Sequence, residues 1–277
     1  MAGMLYLVPT PIGNLGDISQ RCRETLEQAD FIAAEDTRVS LKLLNHLGIK
    51  KPLVSYYEHN RAESGPRILE RILSGETCAL VSDAGSPAIS DPGEDLVALC
   101  AANGVTVCAI PGPCAVITAL SISGLPTGRF CFEGFLSTNK KSRQEHLRTL
   151  AGEQRTMIFY EAPHKLLNTL QDLLAAFGPD RRISLCRELT KLHEEVIRTT
   201  LQGALDYYKN LAPRGEYVLV LDGAQPQEEA DLTLDDALKL VSEKLSQGLS
   251  RKDAVKQVAK ETGFAKNALY DAAMKAL

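Results

Sequence analysis

The stretch that decides the fold is residues 80–93, LVSDAGSPAISDPG. It completes an apolar run, Cys78, Ala79, Leu80 and Val81, in which nothing polar alternates, so the run reads as a strand buried on both faces of a parallel sheet. Asp83, Gly85, Ser86 and Pro87, then Ser90, Asp91, Pro92 and Gly93, separate it from a helical pattern that begins at Glu94. Small residues let a backbone approach a ligand closely and proline fixes φ, so the segment reads as a rigid loop at the carboxyl end of a strand. Ligands of open α/β sheets sit in that place. Two Asp, two Pro and two Gly in so short a space exceed what a connecting turn needs, and the reading is a binding loop.

Working outward, strands and helices alternate on both sides of this loop. Residues 5–8 form a short apolar strand that runs into Pro9, Thr10, Pro11, Ile12, Gly13 and Asn14; a helix is expected from about Ile18, a strand over 31–34, a helix through Leu41 to Leu47 with its stop at Gly48, a strand over 53–56 and a helix over 68–73. After the central strand and its helix come a strand over 105–110 and a helix over 115–122. This alternation predicts a parallel sheet covered on both faces. Three of its strands end in loops dense with Pro, Gly or charge, at 9–14, 83–93 and 111–113, and in a parallel sheet these share one rim and line one cleft.

The turn-rich residues 123–128 mark a domain boundary. A second α/β unit is expected beyond it, with strands over 130–135, 157–160, 183–186, 196–201 and 217–221, a polar helix after the first of these and a helix over 166–177. The run 195–200 is too polar for a buried parallel strand, which predicts an antiparallel or edge position and a mixed sheet. Residues 223–231 read as a linker, and only helical patterns follow, over 234–245, 251–260 after Ser250 as N-cap, and 267–277. The expected fold class is therefore α/β, with an N-terminal α/β domain over 1–123, a second over 124–223 and a small helical domain over 232–277.

Composition is that of an ordinary soluble protein, 44% hydrophobic and 24% charged over 277 residues. A net charge of −4 argues against nucleic-acid binding through bulk electrostatics and leaves local patches to do it. Seven scattered cysteines, without a C-x-x-C pair or a His at ligand spacing, suggest reduced thiols in a cytoplasm and no metal site. The N-terminus lacks a basic leader, and no apolar run is long enough to cross a bilayer. Neither Gly-x-Gly-x-x-Gly, a Walker Gly-Lys-Ser/Thr nor Gly-x-Ser-x-Gly is present, which removes the common nucleotide and hydrolase chemistries. What remains is a set of polar segments at strand ends: Glu35-Asp36-Thr37-Arg38, the Asp83 loop, Tyr160-Glu161-Ala162-Pro163-His164 and Arg187-Glu188-Leu189-Thr190-Lys191. Glu188 with Arg187 or Lys191 reads equally as a surface ion pair, and His164 as a helix-start residue.

The segments LYLVPTPIGNLGDI, AAEDTRVSLKLL, LVSDAGSPAISDPG, IPGPCAVITALSISGLP, FEGFL, FYEAPHKL and RELTKLHEEV occur in this order over nearly all of residues 1–223. They closely resemble those of the ribosomal RNA small-subunit methyltransferase I group, a branch of the tetrapyrrole methylase superfamily. The resemblance implies two α/β domains with S-adenosylmethionine in the cleft between them, a homodimer, and methylation of a ribose 2′-hydroxyl of a cytidine in the decoding region of 16S ribosomal RNA within the 30S subunit. Carried over onto this sequence, Ala84, Gly85, Ser86, Pro87, Ala88 and Ile89, bordered by Pro9 and Asp83, hold the amino-acid and ribose parts of the donor together with Cys114 and Ala115. Tyr160, Leu189 and the backbone of Glu216, Tyr217 and Val218 hold adenine. Cys114 stands where the family usually has Ser, and Ser137 where it has Pro.

Methyl transfer from a sulfonium neutralises charge rather than creating it, so alignment is the main demand and no metal is required. A ribose hydroxyl is a weak acid, which points to Asp36 or Glu161 as proton acceptor and to Arg38 or Lys191 as the cation beside its oxygen. RNA affinity is expected from residues 139–155, with five basic side chains against two acidic, and from residues 239–277, with eight against four. Within the latter, two helices about Gly263 resemble a helix-turn-helix. The alternative is a methyltransferase acting on a tetrapyrrole, which leaves both basic segments without a purpose.

Overall fold

The structure, a computed structural model, describes residues 3–225 and 233–276. The chain divides into two compact units, Met1–Ala224 and Gln225–Leu277. The first unit contains two five-stranded sheets.

In the first sheet, β1 (Met4–Leu7), β2 (Phe31–Ala34), β3 (Leu53–Ser55), β4 (Cys78–Val81) and β5 (Thr106–Ala109) lie in the order β3-β2-β4-β1-β5. Every pairing is parallel. The strand read first from the sequence, β4, is thus the centre of the sheet. Its side chains alternate between two cores, since successive residues of a strand face opposite ways. Cys78 and Leu80 pack with Phe31 and with Ile68, Ile72 and Leu96 on one face, while Ala79 and Val81 pack with Cys22, Leu26 and Leu44 on the other. Phe31 belongs to the neighbouring β2, and the other partners come from α1 (Gln20–Gln28), α2 (Thr37–Leu47), α3 (Arg61–Leu73) and α4 (Glu94–Ala102). Ser19 caps α1 by accepting the Cys22 N–H at 3.1 Å, and Gly48 ends α2 at φ 73°. The helix α3 begins seven residues before the expected Ile68. Gly65 and Pro66 do not break the helix: Gly65 is buried beside Tyr56 and Leu99, and the buried stripe of Ile68, Leu69 and Ile72 carries the helix through.

The second sheet has the order β6-β7-β10-β8-β9, formed by β6 (Phe130–Phe135), β7 (Thr156–Glu161), β8 (Arg182–Arg187), β9 (Glu195–Thr200) and β10 (Tyr217–Leu221). Only β6 and β7 are parallel, and the polar β9 pairs antiparallel at the edge, as its composition predicts. One face is covered by α6 (Lys140–Thr149), α7 (Leu166–Phe177) and α8 (Leu201–Tyr208) around Phe159, Leu170, Leu185 and Leu219. The short helix α8 is not apparent in the sequence: it contains Gly203, and it starts where the strand pattern ends, at Thr200, whose hydroxyl accepts the Gly203 N–H at 3.1 Å. The other face is covered by α5 (Ala115–Ile122), the last helix of the first βα succession. Val116, Ala119 and Leu120 of α5 pack on Ile158, Cys186, Val218 and Val220, so one helix joins the two sheets.

The second unit comprises α9 (Leu234–Ser246), α10 (Arg251–Thr262) and α11 (Lys266–Ala276). Ala237, Val241, Val255, Val258 and Leu269 form its fully buried core. Thr233 and Asp236 make a capping box, Ser250 caps α10, and Gly263 at φ 75° closes it. Most of the expected linker, residues 226–231, lies outside the described residues.

Leu80 is completely buried at the centre of the first sheet. Leu80→Ala is expected to cost about 2–5 kcal/mol of unfolding free energy, measured by urea denaturation at unchanged m-value.

Candidate active site

The three rim loops expected from the sequence meet through main-chain bonds. Thr10 and Gly85 form an antiparallel bridge, Thr10 N–H donating to Gly85 O at 2.9 Å and Gly85 N–H to Thr10 O at 3.0 Å. The Ser86 hydroxyl donates to Pro113 O at 3.0 Å, which brings in the third loop. Gly85 sits at φ 84°, and a Cβ there would stand 3.2 Å from Ile12. The loop after β4 carries two further left-handed residues, Ala88 at φ 67° and Ser90 at φ 65°. A non-glycine residue held at positive φ is costly, and such conformations gather at functional sites.

Facing these loops are the ends of β7, β8 and β10. Glu188 at φ 51° and Thr190 at φ 65° shape the turn after β8, and Lys191 from that turn donates to Glu188 Oε1 at 2.9 Å and Glu216 Oε2 at 2.8 Å. Burial works against the ammonium, but the two carboxylates outweigh it and raise the Lys191 pKa. The Glu188–Lys191 pair, one of the two readings from the sequence, forms, and Glu216 extends it to a three-membered, partly buried network. Gly13 of the first loop lies against Lys191 and Thr190, with no space for a side chain.

Between the two sides lies a cavity of about 560 Å³, within the range of small-molecule sites. Of the residues expected to hold a donor, Asp83, Ala84, Gly85, Ser86, Ile89, Cys114, Ala115, Tyr160, Leu189, Glu216, Tyr217 and Val218 line it. Pro9, Pro87 and Ala88 do not. Pro9 instead supports the third loop, its ring against Gly112, where a Cβ would come within 2.8 Å. Ala88 turns its methyl toward Gly93. Tyr160 presents a ring held by Phe132 at 4.9 Å and Phe135 at 5.5 Å between centroids, and burial raises its pKa.

The four expected reacting residues separate. Glu161 and Lys191 line the cavity, whereas Asp36 and Arg38 do not. Asp36 caps α2 by accepting the Arg38 N–H at 2.8 Å, and the Arg38 side chain grips its carboxylate at 2.6 Å. That grip holds the Asp36 pKa down at about 2, which makes it a poor proton acceptor. Glu161 is 5% exposed and has both oxygens engaged, by the Thr169 hydroxyl at 2.5 Å and the Ala162 N–H at 2.8 Å. Sequence reasoning left Glu35, Asp91, Phe135 and His164 outside its site, though each lines the cavity. Glu35, Asp91 and His164 lie inside polar segments already singled out at strand ends, so their signal was position alone, while Phe135 lies in FEGFL, at the end of the expected strand 130–135. Burial, then Asp83, raises the pKa of Glu35; burial, then Glu35 and Asp83, brings Asp91 up to about 6.

Comparison with known proteins gives this arrangement its relatives. Residues 4–205 match the model of the tetrapyrrole (corrin/porphyrin) methylases, and residues 228–277 that of the RsmI C-terminal HTH domain. A ribosomal RNA small subunit methyltransferase I from Synechocystis is 47% identical, covering 99% of this chain and 98% of that protein. One from Halalkalibacterium halodurans is 46% identical, covering 97% and 94%. Among solved structures, uroporphyrin-III C-methyltransferase from Thermus thermophilus complexed with S-adenosyl homocysteine superposes with a TM-score of 0.58 at 18% identity, over 79% of this chain and 97% of that one, a likeness of fold. With two sheets joined by α5, a rim of three stapled loops and sequence identity along the full chain, this protein belongs to the ribosomal RNA small subunit methyltransferase I family of the tetrapyrrole methylases.

Proposed function

We propose that this chain methylates the ribose 2′-hydroxyl of a cytidine in 16S ribosomal RNA near the decoding site, using S-adenosylmethionine, and that it acts on the 30S subunit as a cytoplasmic homodimer. The observation that carries this reading is the cavity framed by the stapled loops, in a chain whose relatives along its whole length are named small-subunit ribosomal RNA methyltransferases. Among the described residues no helix is long and apolar enough to cross a membrane. The two sheets correspond in this reading to domains over 1–123 and 124–223, and the helices within 232–277 to an RNA-binding domain.

The residues present suit the donor. A glycine that leaves a cradle at Gly85, the exposed main chain of the 83–90 loop and the aromatic wall at Tyr160 are what a flat adenine with a zwitterionic tail requires. Ala84, Gly85, Ser86, Ile89, Cys114 and Ala115 would hold the amino-acid and ribose parts, and Tyr160, Leu189, Glu216, Tyr217 and Val218 the base. Bound there, the donor supplies an electrophilic methyl group on a cationic sulfur. The chain contributes alignment, and Lys191 places positive charge at the cavity wall, where it would favour loss of the hydroxyl proton. Arg38 does not line the cavity, which leaves Lys191 as the cation for that role.

The tetrapyrrole alternative has no use for the basic excess of α6 and α10, where cations gather as phosphate contacts require.

Incubated with 30S subunits and methyl-labelled donor, the protein is expected to place label on one cytidine 2′-oxygen, located by mass after nuclease digestion; label on a base, or none on RNA, refutes the reading. Lys191→Met is expected to lower single-turnover rate by about 100-fold, with donor affinity followed separately by calorimetry. Removal of residues 226–277 is expected to weaken subunit binding by about tenfold or more and flatten its salt dependence, measured by filter binding, with donor affinity unchanged.

A further inference from the structure

Phe135 ends β6 on the cavity wall and is 59% exposed, more than any other large apolar side chain lining the cavity. Its direction is imposed by the strand. Phe132 pairs with Ile158 and Gly134 with Phe159, so the register slips by one residue at Glu133, a β-bulge, and Gly134 takes φ 63°, which glycine adopts without strain. Without the bulge, alternation along the strand would put Phe135 on the face opposite Phe132. With it, Phe135 pairs with Tyr160, and both phenylalanine rings meet the Tyr160 ring, at 5.5 and 4.9 Å between centroids. Leu136, next in the chain, returns to the core on the other face with Leu147 and Phe159. A lone exposed phenylalanine on a surface needs no explanation. This one is turned onto the cavity wall by a bulge, and bulges beside sites re-aim side chains.

We propose that the base of the acceptor nucleotide, turned out of its own stack, lies flat on the exposed face of the Phe135 ring, which sets the attached ribose against the cavity. The proposal deepens the methyl-transfer reading above and rests on it. RNA is read at single nucleotides by splaying a base out and stacking it on an aromatic side chain. Glu35, Asp83, Asp91 and Glu216 edge the cavity and repel a phosphate, so a nucleotide entering there has to be gripped by its neutral part. An aromatic face provides that grip, since every base has a π-face and stacking needs no charge. Residues 136–139 then lead from Phe135 to α6, which opens with Lys140 and Lys141. Both are exposed, and neither has a carboxylate partner among the described residues, so both are available to the phosphates that flank a base so placed.

The test uses the full-length protein and 30S subunits, with kcat/KM for the subunits measured at saturating labelled donor. Phe135→Ala is expected to lower it by about 10- to 100-fold. Phe135→Trp keeps a π-face and is expected to stay within about threefold of wild type, whereas Phe135→Leu keeps apolar packing on Tyr160, has no π-face and is expected to behave as the Ala variant. A side chain that only fills space predicts the reverse order, with Leu near wild type and the larger Trp impaired. Calorimetry is expected to find donor affinity changed by less than about threefold in all three variants. An independent reading comes from the full chain carrying photoreactive p-benzoylphenylalanine in place of Phe135. Irradiated with 30S subunits, it is expected to cross-link to the cytidine that the wild type labels, located as a stop to reverse transcription.

A Phe135→Ala protein that turns over 30S subunits as the wild type does overturns the proposal. So does one whose defect is confined to donor affinity, which would place Phe135 in the donor's own site, and so does a Leu variant at the wild-type rate beside an impaired Trp variant. Should Phe135→Ala fail to fold, the Leu and Trp variants and the cross-link decide; a cross-link away from the labelled cytidine, or none to RNA, overturns it. Wild-type protein that binds donor and labels no RNA overturns the methyl-transfer reading itself, and this proposal with it.

Discussion

Two reciprocal main-chain hydrogen bonds between Thr10 and Gly85 hold the site in place. They make an antiparallel bridge out of two loops that leave neighbouring parallel strands, β1 and β4, and the Thr10 hydroxyl adds a third bond to Ser82 O at 3.1 Å. Loops at the carboxyl rim of a parallel sheet normally stand apart, with their polar groups turned to water. Here the groups satisfy one another, so the loop after β4 keeps left-handed residues at Ala88 and Ser90 that an unsupported chain would relax. Gly85 is necessary on both counts, since it must adopt φ 84° and leave room for Ile12.

The same economy joins the sheets. The helix α5 is apolar nearly all round, because it belongs to the first βα succession yet lays Val116, Ala119 and Leu120 on the second sheet. Arg198 of β9 reaches the carboxyl end of that helix and donates to Ile122 O, a contact that suits a cation at a helix C-terminus. On the far side of the cavity Gly13 fits against Lys191 and Thr190. The two walls of the cavity are therefore set by a packed helix and a close glycine contact, within one compact unit.

Most of the fold was legible because the first sheet obeys simple rules. Unbroken apolar runs at β2 and β4 read as buried parallel strands and prove buried at every position, and the polar β9 reads as an edge. Legibility failed where local signals conflict with packing. Gly65 and Pro66 look like a helix break and are not, because burial against Tyr56 and Leu99 overrides them; α8 hides because it follows β9 without a turn. The site was legible as segments and less so as residues. A loop rich in Pro and Gly announces itself, but whether Asp36 or Asp91 turns toward the cavity depends on a partner, and Arg38 captures Asp36 two residues away. Glu161 stood at a strand end as a binding residue should, and only the fold shows that Thr169, eight residues on, consumes it.

The electrostatics impose a division of labour on the proposed reaction. A cavity edged by Glu35, Asp83 and Asp91 favours a cationic sulfur and disfavours the phosphates that accompany any ribose. In the proposed reaction RNA affinity is generated outside it, by the cations of α6 and α10, and used to bring one sugar against a wall that repels its neighbours. Binding energy gained at a distance and applied at the reacting centre is how an enzyme raises turnover without tightening its grip on the ground state. In this chain the formal charge of −4 and the basic segments are then not in conflict. In the proposed reaction the acid surrounds the chemistry, where charge is to be cancelled, and the base lies along the segments proposed to meet the polyanion.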